Sequence, residues 1–236
     1  MFDNYSCNPE LETDWGFACL IETEQGTVLF DTGADGEILL RNLCALGKNP
    51  DAIDAIVLSH EHGDHIGGMR ALLATGIQPT VYVPAAFPDL VKGPWGQQTE
   101  LVEVPSTPTE LRPGFYSTGF LECPVGLETL VEQALVVETA EGWVVVTGCA
   151  HPGVVQLTQR ARELTGCELE LVMGGFHLVD SSRARIEGII DSLRELGVQR
   201  AAPSHCSGDK AREVFAEAFG DKYIASGVGA VITLGP

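Results

Sequence analysis

The stretch Ala55-Ile56-Val57-Leu58-Ser59-His60-Glu61-His62-Gly63-Asp64-His65 decides how this chain is read. A short apolar run of the kind that forms a buried strand delivers three imidazoles and a carboxylate into one loop. Imidazole nitrogen and carboxylate oxygen are the ordinary ligands of zinc and other first-row metals. In extended chain, positions i and i+2 project to the same side, so His60 and His62 can grip one ion. Asp64 and His65 lie past the turn, within reach of a second. Gly63, Gly67 and Gly68 supply the backbone freedom such a turn needs. Three of the chain's six His gather here, which a chance polar surface loop does not explain.

The other three His repeat the arrangement. His151 follows Trp143-Val-Val-Val-Thr-Gly-Cys-Ala, His177 follows Leu169-Glu-Leu-Val-Met-Gly-Gly-Phe, and His205 follows Gln199-Arg-Ala-Ala-Pro-Ser. Each stands just past a short strand-like run, and sheet proteins gather ligands where loops from distant strands converge.

At 236 residues the chain suits one sizeable domain, read here as 1–236, with 44% hydrophobic and 20% charged residues as in ordinary globular proteins. No run approaches the roughly 18 to 20 apolar residues of a membrane span. The N-terminus Met-Phe-Asp-Asn-Tyr-Ser lacks a basic and an apolar region of secretory type. The seven Cys are scattered with no C-x-x-C pair, which suits reduced thiols and a cytoplasmic location. The formal charge of −19, with 14 bases against 33 acids, argues against nucleic acid as a partner. Arg183-Ala184-Arg185, a few residues past His177, is the remaining anion handle.

Apolar runs predict strands at 17–21, 27–30, 52–58, 80–83, 101–104, 134–138, 143–147, 168–173, 223–226 and 230–234. Helix-period segments cover 37–46, 68–74, 154–164, 181–196 and 210–219, the fourth capped by Ser181 or Ser182 and ended by Gly197. Residues 84–124 hold seven of the 13 Pro and read as a covering loop or a surface connection rather than the centre of a sheet. Trp95, Phe115, Tyr116 and Phe120 are available there to stack on a flat substrate. A strand pair followed by strand–helix alternation suggests two sheets face to face with helices outside, an α/β layered sandwich.

With Leu29-Phe30-Asp31-Thr32-Gly33, Ser59-His60-Glu61-His62-Gly63-Asp64-His65-Ile66-Gly67-Gly68 and the later isolated His, the sequence resembles the metallo-β-lactamase superfamily. Thr147-Gly148-Cys149-Ala150-His151-Pro152-Gly153, Gly174-Gly175-Phe176-His177-Leu178 and Pro203-Ser204-His205-Cys206-Ser207-Gly208 resemble its branch of metal-dependent hydrolases related to a dihydropterin–aminobenzene ribotide synthase. The resemblance implies a four-layer αββα sandwich. It also implies two divalent cations, zinc by default with Mn or Fe able to satisfy the same donors. His60, His62 and His151 would hold one, and Asp64, His65 and His205 the other. Asp31 would brace the ligand loop from behind. Cys149 stands where many members carry a bridging Asp, and could bridge as a thiolate, stay unligated or simply pack. Trp15 precedes Gly16 where the branch often has His.

Asp64, as ligand and orienter of the attacking water, and His177 are the candidate catalytic residues. His177 is open to a substrate-contacting, proton-transferring or ligating role, or to that of a hydrogen-bonded core residue. The expected activity is hydrolysis of a small phosphoester by water activated between two cations about 3.5 to 4 Å apart. The alternatives are a transferase joining a dihydropterin pyrophosphate to 4-(β-D-ribofuranosyl)aminobenzene 5′-phosphate, and a non-catalytic metal-bound ligand sensor. The expected partner is a phosphorylated small molecule, with neither nucleic acid nor membrane; the sequence leaves the oligomeric state open.

Overall fold

The computed structural model describes residues 1–126 and 128–235. An antiparallel pair, β1 (Cys19–Thr23) and β2 (Gly26–Phe30), opens the first half. There follow α1 (Gly36–Ala45), β3 (Ala55–Val57), the short α2 (Gly63–Ile66), α3 (Met69–Ala74), β4 (Thr80–Pro84), α4 (Asp89–Gly96) and β5 (Leu101–Val104). These strands form a sheet in the order β1-β2-β3-β4-β5, parallel from β2 onward.

The second half contributes β6 (Thr109–Arg112), β7 (Phe115–Ser117), a hairpin of β8 (Leu121–Val125) and β9 (Glu128–Glu132), then β10 (Leu135–Thr139) and β11 (Gly142–Thr147). It ends with α5 (Val154–Thr165), β12 (Leu169–Gly175), α6 (Arg183–Glu195), β13 (Val198–Ser204) and α7 (Asp209–Phe219). The second sheet runs β13-β12-β11-β10-β7-β6, with β11, β12 and β13 parallel.

Strand alternation sorts the apolar side chains into three layers. Val28, Phe30 and Val57 of the first sheet meet Leu135, Val137, Val144, Val146 and Leu171 of the second in the inter-sheet core. Their neighbours Leu29 and Ile56 turn the other way, onto Leu39, Leu43 and Leu72 of α1 and α3. On the opposite outer face Val136, Val145 and Val172 pack under Leu157, Ile186, Leu193 and Phe215 of α5, α6 and α7. Helix, sheet, sheet, helix is the expected αββα order.

Three expectations are corrected. Residues 84–124 are not a covering loop: they build α4, β5, β6 and β7 and enter β8, and β7 lies inside the second sheet. Their aromatics are committed to packing. Trp95 is buried with the α1–α3 layer, Phe115 lies in the inter-sheet core, Tyr116 sits against Trp143, and Phe120 packs on the outer layer. The runs 223–226 and 230–234 form no strand. Tyr223 makes an isolated bridge to Ala201, and Ile224, Ile232 and Leu234 pack on the inter-sheet core as irregular chain. Among the described residues no helix is long and apolar enough to cross a membrane.

Candidate metal centre

The parallel strands place the imidazoles. His60 lies past β3, His151 past β11, His177 past β12 and His205 past β13, all at carboxyl ends of strands that run in register with their neighbours. His62 caps α2 and Asp64 and His65 lie in it, so the turn that the three glycines suggest is a single helical turn. The result is a tight cluster. Ring centroids are 4.8 Å apart for His60 and His62, 4.7 Å for His60 and His151, 4.1 Å for His60 and His65, and 5.1 Å for His65 and His205.

Two groups of donor atoms emerge, each with all atoms within 4.8 Å of one another: His60, His62 and His151, and Asp64, His65, Cys149 and His205. Cys149 Sγ is 3.2 Å from His65 Nε2. A third grouping, Cys149, His151 and His177, shares two residues with the others. His177 is exposed, with its ring 4.5 Å from that of His151.

Hydrogen bonds behind the rings fix which nitrogen faces the centre. Ser59 Oγ donates to Asp31 Oδ2 at 2.7 Å, so it accepts from His60 Nδ1 at 2.8 Å. His65 Nδ1 donates to Asp31 Oδ2 at 2.7 Å, His151 Nδ1 to Glu132 Oε2 at 2.8 Å, and His205 Nδ1 to Asn4 Oδ1 at 2.9 Å. In all four the Nε2 lone pair is left for the interior, the arrangement that orients metal-ligating histidines. His60 Nε2 and His205 Nε2 are buried without a hydrogen-bond partner. An unsatisfied buried polar atom is costly, and a cation is the partner these lone pairs suit. The donor set fits divalent metal.

Glu132 is the residue the sequence reading missed. Fully buried at the end of β9, its carboxylate accepts from the backbone N–H groups of Cys149 (2.9 Å), Ala150 (2.7 Å) and His151 (2.7 Å) as well as from the His151 ring. Burial works to raise this carboxyl, but the facing His60 and His151 and the N–H donors more than offset it, and Glu132 is held well below the usual carboxylate range. Asp64 is likewise driven up by burial and pulled well below its ordinary value by His205 and His65. Burial and the neighbouring imidazoles push His60 far down, which keeps it neutral and able to donate its lone pair.

The backbone is also specialised here. The non-glycine residues with positive φ are Asp31 (56°), Ala150 (59°), His177 (52°) and His205 (49°), all of them at the centre among the described residues; such conformations collect at functional sites. At Gly148 a Cβ would sit 2.1 Å from Ser59 Oγ, so glycine lets the β11 exit close onto the His60 loop. Cys206 is buried and its thiol donates to Cys149 O at 3.6 Å. Arg183 is not an anion handle for the centre: it pairs with Glu187 and Glu217 on the surface of α6 and α7. A cavity of about 630 Å³ opens onto the cluster, lined by Trp15, Pro124, Cys206 and the site residues His62, Asp64, Cys149, His151 and His177; its size suits a small molecule.

Known proteins resemble this chain over most of its length. The chain is 29% identical to the 7,8-dihydropterin-6-methyl-4-(β-D-ribofuranosyl)-aminobenzene-5′-phosphate synthase of Methanocaldococcus jannaschii, over 92% of this chain and 89% of that one. Among solved structures, Tm1679, described as a metal-dependent hydrolase of the β-lactamase superfamily, superposes with a TM-score of 0.82 at 27% identity, covering 100% of this chain and 97% of its own. The metallo-β-lactamase fold protein YhfI from Bacillus subtilis superposes at 0.67 with 16% identity, over 92% and 91% of the two chains, and shares the fold. The family model of the metallo-β-lactamase superfamily matches residues 16–175, and the chain belongs to that superfamily.

Proposed function

We propose that this protein is a dinuclear metal-dependent hydrolase acting on a small phosphoester. What carries the reading is the pair of adjacent donor groups with their Nε2 lone pairs turned inward. His60, His62 and His151 would hold one cation and Asp64, His65 and His205 the other, with Cys149 as a further donor to the second. When bound, divalent cations there would lower the pKa of a nearby water and neutralise charge on a phosphoryl oxygen.

The chain's own residues do the rest. Glu132, Asp31, Ser59 and Asn4 hold the rings in one tautomer. Asp64, at the cavity wall with a low-lying carboxyl, accepts a hydrogen bond from the attacking water and orients it. His177, exposed beside His151 in the same cavity, gives a proton to the leaving oxygen.

The synthase relationship favours a second reading, in which the same centre neutralises a departing pyrophosphate while an aminobenzene ribotide attacks a dihydropterin. Purified protein, assayed for metal content and for cleavage of bis(4-nitrophenyl) phosphate with and without chelator, tests the first. Metal-dependent cleavage is expected, and undiminished turnover after the metal is stripped would refute it. Incubation with both pterin-pathway co-substrates, following pyrophosphate release, tests the second.

A further inference from the structure

Trp15 is a large apolar residue left open at the cavity. Its side chain is half exposed, 50% by area, one of few large apolar residues left open on the described surface. It nevertheless stands at the metal centre, with its ring 4.9 Å from that of His205 and tilted 54° to it. It lines the same cavity as His62, Asp64 and His177.

The position is built rather than incidental. Gly16, at φ 144°, comes so close to the ligand loop that a Cβ would lie 2.4 Å from the Asp64 carbonyl oxygen. Phe17 N–H donates to that same oxygen at 3.2 Å, and Gly33 N–H donates to Phe17 O at 3.0 Å. The backbone after Trp15 is thus tied to the helical turn that carries Asp64 and His65, which places the indole at the rim. Pro124 of β8, exposed and apolar, also lies on the wall of this cavity. The aromatics between Trp95 and Phe120 pack elsewhere, which leaves Trp15, among the described residues, as the one large apolar ring lining the cavity beside the imidazoles of His62, His151 and His177.

We infer that Trp15 is a specificity-determining residue: a shelf at the rim on which a planar aromatic portion of the substrate lies while its phosphoryl group reaches the cluster. Aromatic faces gain from offset or edge contact with other rings beyond simple burial, and an indole has only two side-chain torsions to order on binding. This deepens the phosphoester reading by naming the substrate class as an aryl or heteroaryl phosphoester, and it rests on that reading.

The test uses two non-hydrolysable probes that differ only in the ring, phenylphosphonate and methylphosphonate, titrated calorimetrically into the zinc-loaded full chain. The native protein is expected to favour phenylphosphonate by about tenfold. Trp15→Ala should abolish that preference while leaving methylphosphonate affinity and metal content unchanged, and Trp15→Phe should keep most of it. Equal binding of the two probes by the native protein, or a ring preference that survives Trp15→Ala, overturns the inference. Should neither phosphonate bind, the phosphoester reading fails, and neopterin, flat and without phosphate, then decides the shelf alone. Binding of neopterin that Trp15→Ala removes supports the shelf, and absence of binding overturns it.

Discussion

Glu132 shows how one side chain can organise a centre it does not itself enter. Its two oxygens accept from three consecutive backbone N–H groups and one imidazole, so Glu132→Gln would set an amide NH2 against donors. The expected result is a loss of about 2 kcal/mol in denaturant unfolding and metal affinity weakened by about 10- to 100-fold in a competition titration. Gly148→Ala should be worse for the site than for the core, because the added methyl drives into Ser59 Oγ and displaces the group that fixes the His60 tautomer; metal content of the purified variant checks this. The imidazoles were legible in sequence because each follows a strand. Glu132 was not: it is one of 33 acids, marked out only by being a charge between the apolar runs of β9 and β10. Asn4 carried no signal at all, since its partner His205 is 201 positions away.

Among the elements, α6 was readable almost to its ends. Ser182 caps it by accepting from Arg185 N–H at 3.3 Å, and Leu196 closes it just before Gly197. Ser182→Ala is expected to cost about 1 kcal/mol, and Leu193→Ala, which empties a fully buried position under the second sheet, about 2 to 5 kcal/mol; chemical denaturation separates the two. The stretch from Pro84 to Pro124 misled because composition averages over it. Its prolines fall at the end of β4, before and within α4, around β6 and in β8, where they punctuate short strands instead of preventing them. The tail misled in the opposite sense. The 230–234 run has the composition of a strand, yet it finds no ladder: Ile232 and Leu234 pack on the inter-sheet core while Val231 stays exposed.

At the scale of the whole molecule, the layered order was legible in a strand pair followed by strand–helix alternation, and the centre sits where both sheets end. His60, His62, Asp64 and His65 come from the first half, while Cys149, His151 and His205 come from the second. Cations bound there therefore tie the sheets together. Loading at 100 times the dissociation constant is expected to add about 2.7 kcal/mol of stability, seen as a melting temperature that falls when chelator is added and recovers with zinc. The same layout has a consequence for biosynthesis. Residues 60 to 65 leave the ribosome long before residues 149 to 205, so a nascent chain holds an incomplete claw for most of its synthesis. Neither donor group is therefore complete until His151 and His205 have been made and the distal sheet has docked.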